Sequence, residues 1–317
     1  MIDDIYTRLL LAAAGEQFPG SLAQKEVDYF DSCAHRDAYS ETLSTIYKLN
    51  PQASIGLDYG RHLVPNLCDF SRVMLTSSTP LAALYLWQSL QHVQGTCYYP
   101  FVYEDKDFVS IVLTYPYKNQ VGQHQRRFIA ETVFYYLLNF ITDATGVEAC
   151  ATKMLCDFPA PLYAQRYQQE MADTLQYNQS LAQIILPRSL LLKPCRQFNP
   201  LVHEATLARF RKTARQNLEM QSMEYRVISH MLRFHPAHFS MPALAEAMHI
   251  SVRGLQKRLG KSENSFSELV KNARHALALY YTSRGLDQDE LAEKLGFKTS
   301  SGLRRYLHNA RAETEAL

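Results

Sequence analysis

The last third of this 317-residue chain contains one sequence pattern twice, at Leu244–Leu259 and again at Leu291–Leu307. Each copy predicts two short helices joined by a tight turn, because apolar residues recur at helical spacing on both sides of a turn position. That position favours φ > 0, which Gly296 adopts without steric cost and His249 adopts with some strain. The chain therefore uses one supersecondary unit twice.

The second helix of each copy carries hydrogen-bond donors opposite its apolar face. Leu255 and Leu259 are four residues apart, as are Leu303 and Leu307, so each pair is expected to face the core. Arg, Lys and Gln on the other face are suited to contact base edges and phosphates in a major groove, where a helix-turn-helix motif places such a helix. The residues predicted in this way to face DNA are Arg253, Gln256, Lys257, Ser301, Arg304 and Arg305.

A single copy would fit equally well a helical hairpin with a solvated basic face. Two copies in matched register favour DNA binding. Gly254 and Gly302 occupy the same helical position in the two copies, although glycine inside a helix costs about 1 kcal/mol relative to alanine. Their recurrence indicates a place where a side chain would obstruct.

One long helix is predicted between the copies. Ser265 and Glu268 form a capping box, an apolar stripe follows from Leu269 to Tyr280, and Gly285 ends the helix. A rigid helix of this kind would hold two recognition helices for successive major grooves, whose centres lie about 34 Å apart. The expected footprint is asymmetric and about two turns long.

Composition and charge agree with this organisation. The length predicts two domains, and residues 225–317 contain 14 Lys and Arg against 9 Asp and Glu, compared with 19 against 22 in the rest of the chain. A basic excess on the repeat suits a polyanionic partner. No signal segment or membrane-spanning run is recognised, so we expect a soluble, cytoplasmic protein.

Enzyme, metal and cofactor sites are not predicted. The sequence shows no nucleophile elbow, no phosphate-binding glycine loop and no paired carboxylates, so the chain is not expected to be an enzyme. Six scattered cysteines form no Cys-x-x-Cys pair and are expected to be free and buried rather than metal ligands. They are Cys33, Cys68, Cys97, Cys150, Cys156 and Cys195.

The remainder of the chain predicts a mixed α and β domain. Residues 1 to about 95 show helical periodicity, with Thr79 and Pro80 starting the last of these helices. Aromatic and β-branched runs around the polar turn at 104–107 predict a hairpin. The further predicted elements are a helix at 123–142, a strand at 151–158, a short helix opened by Pro159-Ala160-Pro161, strands at 175–178 and 183–186, and helices at 200–220 and 225–234.

At this point the residues resemble a known family. Ile250–Leu259, Arg274–Tyr281 and Leu295–Phe297 are similar to the first recognition helix, the linker helix and the second turn of AraC/XylS-type bacterial regulators. Leu75–Leu84, Asp157–Pro161 and Ile185–Leu191 resemble the arabinose-binding-type N-terminal domain of one branch. Residues 311–317 do not resemble the proline-containing tail that normally follows the second motif. The resemblance adds Ser251, Lys261 and Ser300 to the predicted DNA contacts.

The resemblance implies an α+β regulatory and dimerisation domain at 1–222, then an all-α DNA-binding domain at 223–317 with two helix-turn-helix motifs at about 240–260 and 288–308. The implied function is a homodimeric regulator, expected to be an activator, that binds double-stranded promoter DNA beside RNA polymerase under control of a small effector. A regulator controlled by a protein partner or by its expression level remains the alternative.

An effector site could be formed by aromatic side chains of the hairpin. Such rings can line a pocket for an apolar or amphipathic molecule, but aromatic residues are also among the commonest in cores and dimer interfaces. Both interpretations stay open. The candidates are Tyr98, Phe101, Tyr103, Phe108 and Tyr115.

Overall fold

The computed structural model describes most of the chain from residue 43 onward. The described residues are 43, 46–48, 50–63, 69–91, 98–115, 122–220, 222–233, 236, 239–262 and 264–315, with side chains omitted at 69, 213, 215–220 and 308–315. The predicted opening helix and three of the cysteines, Cys33, Cys68 and Cys97, lie outside these residues.

The chain divides into two compact units. One comprises Met1–Trp87, Val102–Ile111 and Val121–Phe210, and the other comprises Gln88–Phe101, Val112–Gln120 and Arg211–Leu317. The second unit thus combines the helical C-terminal part with the base of the predicted hairpin.

A mixed sheet forms the β part of the protein, as expected for an α+β domain. Its strand order is β1-β2-β5-β3-β4, with β3 parallel to β4 and antiparallel to β5. Met154 on β3 is fully buried and pairs with Ile184 on β5 and Leu175 on β4. The strands are β1 (Tyr99–Glu104), β2 (Phe108–Thr114), β3 (Ala151–Leu155), β4 (Ala172–Gln176) and β5 (Ala182–Pro187).

The predicted hairpin is confirmed as β1 and β2. At its tip the Asp105 side chain accepts hydrogen bonds from the backbone N–H groups of Asp107 and Phe108, at 2.9 and 2.8 Å. The Asp105 N–H in turn donates to the Phe108 carbonyl at 3.0 Å. An aspartate that bonds its own turn is typical of a tight polar connection.

Helices complete the first unit and form the C-terminal region from residue 223 onward. No helix of the described residues combines the length and apolar character needed to cross a bilayer. In chain order the helices are α1 (Ile55–His62), α2 (Asp69–Leu75), α3 (Pro80–Leu90), α4 (Gln123–Thr145), α5 (Ala164–Glu170), α6 (Arg188–Leu191), α7 (Pro200–Met220), α8 (Met223–Met231), α9 (Met241–Ala247), α10 (Val252–Leu259), α11 (Phe266–Ser283), α12 (Gln288–Lys294) and α13 (Ser300–Glu315).

Helices α1 and α4 pack closely because two residues of α1 at the contact are glycines, which have no side chain. A Cβ at Gly56 would lie 2.8 Å from the Glu131 Cβ, and one at Gly60 would lie 2.8 Å from the Tyr135 Cβ. Spacing of four residues puts both glycines on one face of α1. The Thr132 hydroxyl donates to the Gly56 carbonyl at 3.2 Å, which is possible only at this short separation.

Several local predictions require correction. Strand β3 ends at Leu155 rather than at 158, since the chain bends at residues 157–158. Strand β4 begins at Ala172 rather than at 175. It is an edge strand of the sheet, and because most of its residues are exposed and several are polar, its sequence shows little alternation of apolar and polar residues. The helix after Pro159-Ala160-Pro161 begins only at Ala164, since the intervening residues form a turn. Of the three described cysteines, Cys156 and Cys195 are buried and free as expected, but Cys150 is exposed.

Candidate nucleic-acid interface

The two copies of the repeat form two helix pairs with closely matched turns. In the first pair, α9 and α10, the Ile250 N–H donates to the Ala245 carbonyl at 2.9 Å. In the second pair, α12 and α13, the Phe297 N–H donates to the Ala292 carbonyl at 2.8 Å. Ala245 and Ala292 are both buried, as expected for small residues at a helix contact. The two copies therefore share their turn geometry as well as their sequence.

Both turn residues adopt the left-handed conformation predicted from the sequence. The φ angle is 55° at His249 and 73° at Gly296. The left-handed region costs a residue with a side chain about 1–2 kcal/mol, whereas glycine occupies it freely. The first turn therefore holds backbone strain that the second lacks.

Replacing His249 with glycine is expected to raise the free energy of unfolding of the C-terminal helices by about 0.5–1 kcal/mol. The relief of strain exceeds the greater entropy that glycine gives the unfolded chain. Urea denaturation followed by helical circular dichroism would measure the change. Gly296→Ala is the matched control and should lower stability by a similar amount. A destabilised His249→Gly variant would mean that the imidazole contributes more than the strain costs.

Helix α10 presents most of the predicted first-copy contacts to solvent. Its N-terminus is capped by the Ser251 hydroxyl, which accepts from the Gly254 N–H at 3.0 Å. Leu255 and Leu259 are buried, as predicted from their spacing. A Cβ at Gly254 would lie 3.0 Å from the capping oxygen, so the glycine keeps this contact free of crowding. The predicted contacts that are exposed here are Ser251, Arg253, Gln256, Lys257 and Lys261.

Helix α13 differs from α10 by one residue in the preceding turn. Its capping residue is Thr299, whose hydroxyl accepts from the Gly302 N–H at 3.2 Å. Lys298 therefore stands as an extra, exposed residue between the turn and the cap. Leu303 is buried as predicted, but Leu307 is only partly buried. Of the predicted contacts, Ser301, Arg304 and Arg305 are exposed and Ser300 is partly buried.

The linker helix α11 begins as predicted. The Ser265 hydroxyl accepts from the Glu268 N–H, and the Glu268 carboxylate accepts from the Ser265 N–H at 2.6 Å. These hydrogen bonds lower the pKa of Glu268. The helix continues for 18 residues to Ser283, and Gly285 follows with φ of 75°. At about 1.5 Å per residue it spans roughly 27 Å.

The linker helix α11 positions the second helix pair through its backbone and one side chain. The Tyr306 hydroxyl donates to the Lys271 carbonyl at 3.0 Å, and burial raises the pKa of Tyr306 to about 12. The Arg274 guanidinium lies 5.6 Å from the centre of the Phe297 ring. Phe297 also lies against Tyr306, with 5.2 Å between ring centres. These contacts were not predicted, because the spacing of Phe297 and Tyr306 is that of ordinary core residues.

The five predicted effector residues do not converge on one described cavity. Phe101 and Tyr115 are buried, and Phe101 stacks on Tyr280 of α11 with 4.1 Å between ring centres. The Tyr103 hydroxyl accepts from Gln183, while Tyr98 is half-buried and Phe108 is exposed. Their role in effector binding stays a prediction.

Two shallow depressions on the described surface are lined by other residues. One, of about 440 Å³, lies between Phe239, α11 and Tyr306. The other, of about 330 Å³, lies between Tyr47 and the start of α4.

A buried polar cluster in the first unit was not predicted. Glu131 on α4 is inaccessible to solvent and accepts hydrogen bonds from the hydroxyls of Tyr163, at 2.6 Å, and Tyr167. The Arg127 guanidinium lies 3.8 Å from the same carboxylate oxygen, and the other oxygen has no hydrogen-bond partner. Burial raises the pKa of Glu131 to about 7, against the opposing effects of the two hydroxyls and Arg127.

Comparison with known proteins decides the family. A model of the N-terminal arabinose-binding domain of AraC transcription regulators matches residues 22–195, more than half of the chain. The chain belongs to the AraC family of transcription regulators. This membership agrees with the resemblance recognised in the sequence, and it identifies the AraC-family chain as a transcription regulator.

Two individual proteins are also similar to this AraC-family chain. The ornithine utilization regulator of Pseudomonas aeruginosa is 27% identical over 157 residues, which cover 47% of this chain and 44% of that protein. The chain therefore matches less than half the length of this relative. The transcriptional regulator CdpR from Pseudomonas aeruginosa is 17% identical, with a TM-score of 0.49 over 95% of this chain and 93% of CdpR.

Proposed function

We propose that this AraC-family chain binds promoter DNA specifically through two helix-turn-helix motifs, at about 240–260 and 288–308. The observation that carries the proposal is the repetition of one turn, with the same hydrogen bond at Ile250 and Phe297, ahead of two capped helices that expose donor side chains. A solvated helical hairpin has no need to repeat both features.

Each motif is proposed to insert the N-terminal part of its second helix into a major groove. Arg253 and Arg304 are suited to bidentate contact with guanine, and Gln256 to adenine. Lys257, Lys261 and Arg305 supply positive charge for phosphates. The capping residue Ser251, together with Ser300 and Ser301, approaches the duplex at the helix ends.

The N-terminal part, 1–222, is proposed to regulate the DNA-binding part, 223–317. We propose activation of transcription beside RNA polymerase, controlled by a small apolar or amphipathic effector. The match to the arabinose-binding domain of AraC regulators supports this proposal. The name of that domain does not establish arabinose as the ligand of this chain. Control by a protein partner or by expression level is the alternative.

Thermal denaturation with added ligands separates these two forms of control. L-arabinose and L-ornithine are the first probes, since they are suggested by the family description and by the relative's name. Binding at 100 times Kd stabilises the folded state by about 2.7 kcal/mol. An increase in Tm with one probe supports effector control. Unchanged Tm across a panel of metabolites, with DNA binding intact, supports the alternative.

A homodimer is proposed to form through the N-terminal part. Apolar side chains are exposed from the end of α6 to the first turn of α7, and such groups favour association. They are Leu192, Phe198, Leu201 and Val202. We expect Leu201→Glu to shift the protein toward monomer in sedimentation equilibrium, because a buried unpaired charge is costly. Leu162→Glu is the control, since Leu162 is 89% exposed elsewhere in the chain. Equal effects of both variants would contradict this interface.

The proposed DNA-binding function is tested with purified full-length protein and sheared genomic DNA of its own source. Retained fragments are sequenced at moderate and at high salt. We expect a few promoter fragments that share a motif about two helical turns long, and no such enrichment with the Arg253→Ala, Arg304→Ala double variant. Uniform, salt-sensitive retention would mean contact with phosphates alone and would contradict sequence-specific binding.

A further inference from the structure

Val252 is an unusual residue of the C-terminal helices. It is 37% exposed, and among the described side chains from residue 211 onward it is the one large apolar group that is exposed rather than buried or half-buried. It is also the first residue of α10, directly after the cap Ser251. A lone exposed valine is common on protein surfaces, so its meaning depends on its neighbours.

Those neighbours are the residues proposed to contact bases. Arg253 follows Val252 directly, and Gln256 lies four residues on and therefore on the same side of the helix. The Ser251 cap orders the backbone at this end of α10. A recognition helix enters the groove by its N-terminal residues, so Val252 would be among the first side chains to meet the bases.

The chemistry of Val252 suits one base. In the major groove only thymine presents a methyl group, and apolar side chains contact it. Valine in a helix is held mainly in one rotamer, so little side-chain freedom is lost on contact. Arginine and glutamine beside it cannot read this group by hydrogen bonding.

The second motif differs at the corresponding position. Counted from Gly254 and Gly302, the residue equivalent to Val252 is Ser300, which is polar and half-buried. We propose that Val252 is a specificity-determining residue that reads the 5-methyl group of one thymine in the half-site of the first motif. This inference rests on the proposed function.

The test removes single methyl groups from the DNA. The probe is the tightest duplex recovered by the wild-type protein from a random library, with each thymine replaced in turn by deoxyuridine. We expect one replacement to weaken wild-type binding about fourfold, the value of one buried methyl group. With Val252→Ala, this position should no longer distinguish thymine from uracil, while the effects at other thymines persist.

Two variants serve as controls. Val252→Thr keeps one methyl group and nearly the same shape, so part of the discrimination should remain. Lys294→Ala changes an exposed residue of α12, outside both recognition helices, and should leave the wild-type profile unaltered. Circular dichroism verifies that each variant keeps its helices.

The outcomes separate this inference from the proposed function. If wild type selects a duplex but Val252→Ala shows the same uracil profile, or the selected duplex contains no methyl-sensitive thymine, the inference is overturned and the function stands. If wild type selects no duplex at all, both are overturned.

Discussion

Replacing Arg253 with alanine is expected to weaken binding to the specific duplex by about 1–3 kcal/mol, which is roughly fivefold to 150-fold in Kd. The guanidinium is exposed on α10 beside the helix N-terminus, and its two-pronged contact with guanine would have no replacement. Arg304→Ala should have an effect of the same size in the second motif. Fluorescence anisotropy with the duplex selected by wild type measures both.

Two lysine variants help to distinguish the loss of a base contact from the loss of a phosphate contact. Lys257→Ala should weaken binding to all sequences alike and reduce the slope of log K against log salt by about 1, because it is proposed to contact phosphate. Lys294→Ala is the matched control, since Lys294 is exposed on α12, outside both recognition helices. Unchanged affinity of Arg253→Ala for the selected duplex would show that this arginine does not read bases.

The stability of the first unit is expected to depend on pH through Glu131. Its folded-state pKa is raised by burial to about 7 from an ordinary value of 4.5. The folded protein therefore keeps a proton that the unfolded chain releases, and stability falls as pH rises from 4.5 to about 7. Glu131→Gln cannot ionise and can still accept from Tyr163. Its free energy of unfolding relative to wild type should rise by about 3 kcal/mol between pH 4.5 and 8.

Urea denaturation of both proteins at pH 4.5 and pH 8 measures this difference. Glu170→Gln is the control, because its effect on stability should depend on pH in the opposite direction. Although burial acts against it, hydrogen bonds from Arg166 and Arg61 lower the pKa of Glu170, so the substitution should cost stability at neutral pH. A constant difference between wild type and Glu131→Gln at the two pH values would mean that Glu131 is ionised in both the folded and the unfolded states.

The repeat was predictable because its determinants are local. A left-handed residue, a capping hydroxyl and leucines four apart each act over a single turn of chain, which is why His249 and Ser265 were placed correctly. The extra residue Lys298 was not predicted. Thr299, Ser300 and Ser301 are all good capping residues, so propensity alone does not choose where α13 begins.

Tertiary contacts limited the remaining predictions. Glu131 is buried by Tyr163 and Tyr167, which lie more than 30 residues away, and helical periodicity does not reveal such partners. Phe101 and Tyr280 lie much farther apart in the sequence, and the sequence does not show whether an aromatic side chain lines a pocket or packs on another ring. The effector site therefore could not be located from composition.

The difference in length between the turns of the two helix pairs also makes the DNA-binding part asymmetric. Lys298 lengthens the connection in the second helix pair by one residue relative to the first, so the two recognition surfaces are not interchangeable. A single chain bound through both would lie on DNA in one orientation and would distinguish upstream from downstream without a second subunit. Inverting such a binding site within a promoter would then turn the bound protein to face the opposite direction and change its effect on transcription, even though every base pair of the site is preserved.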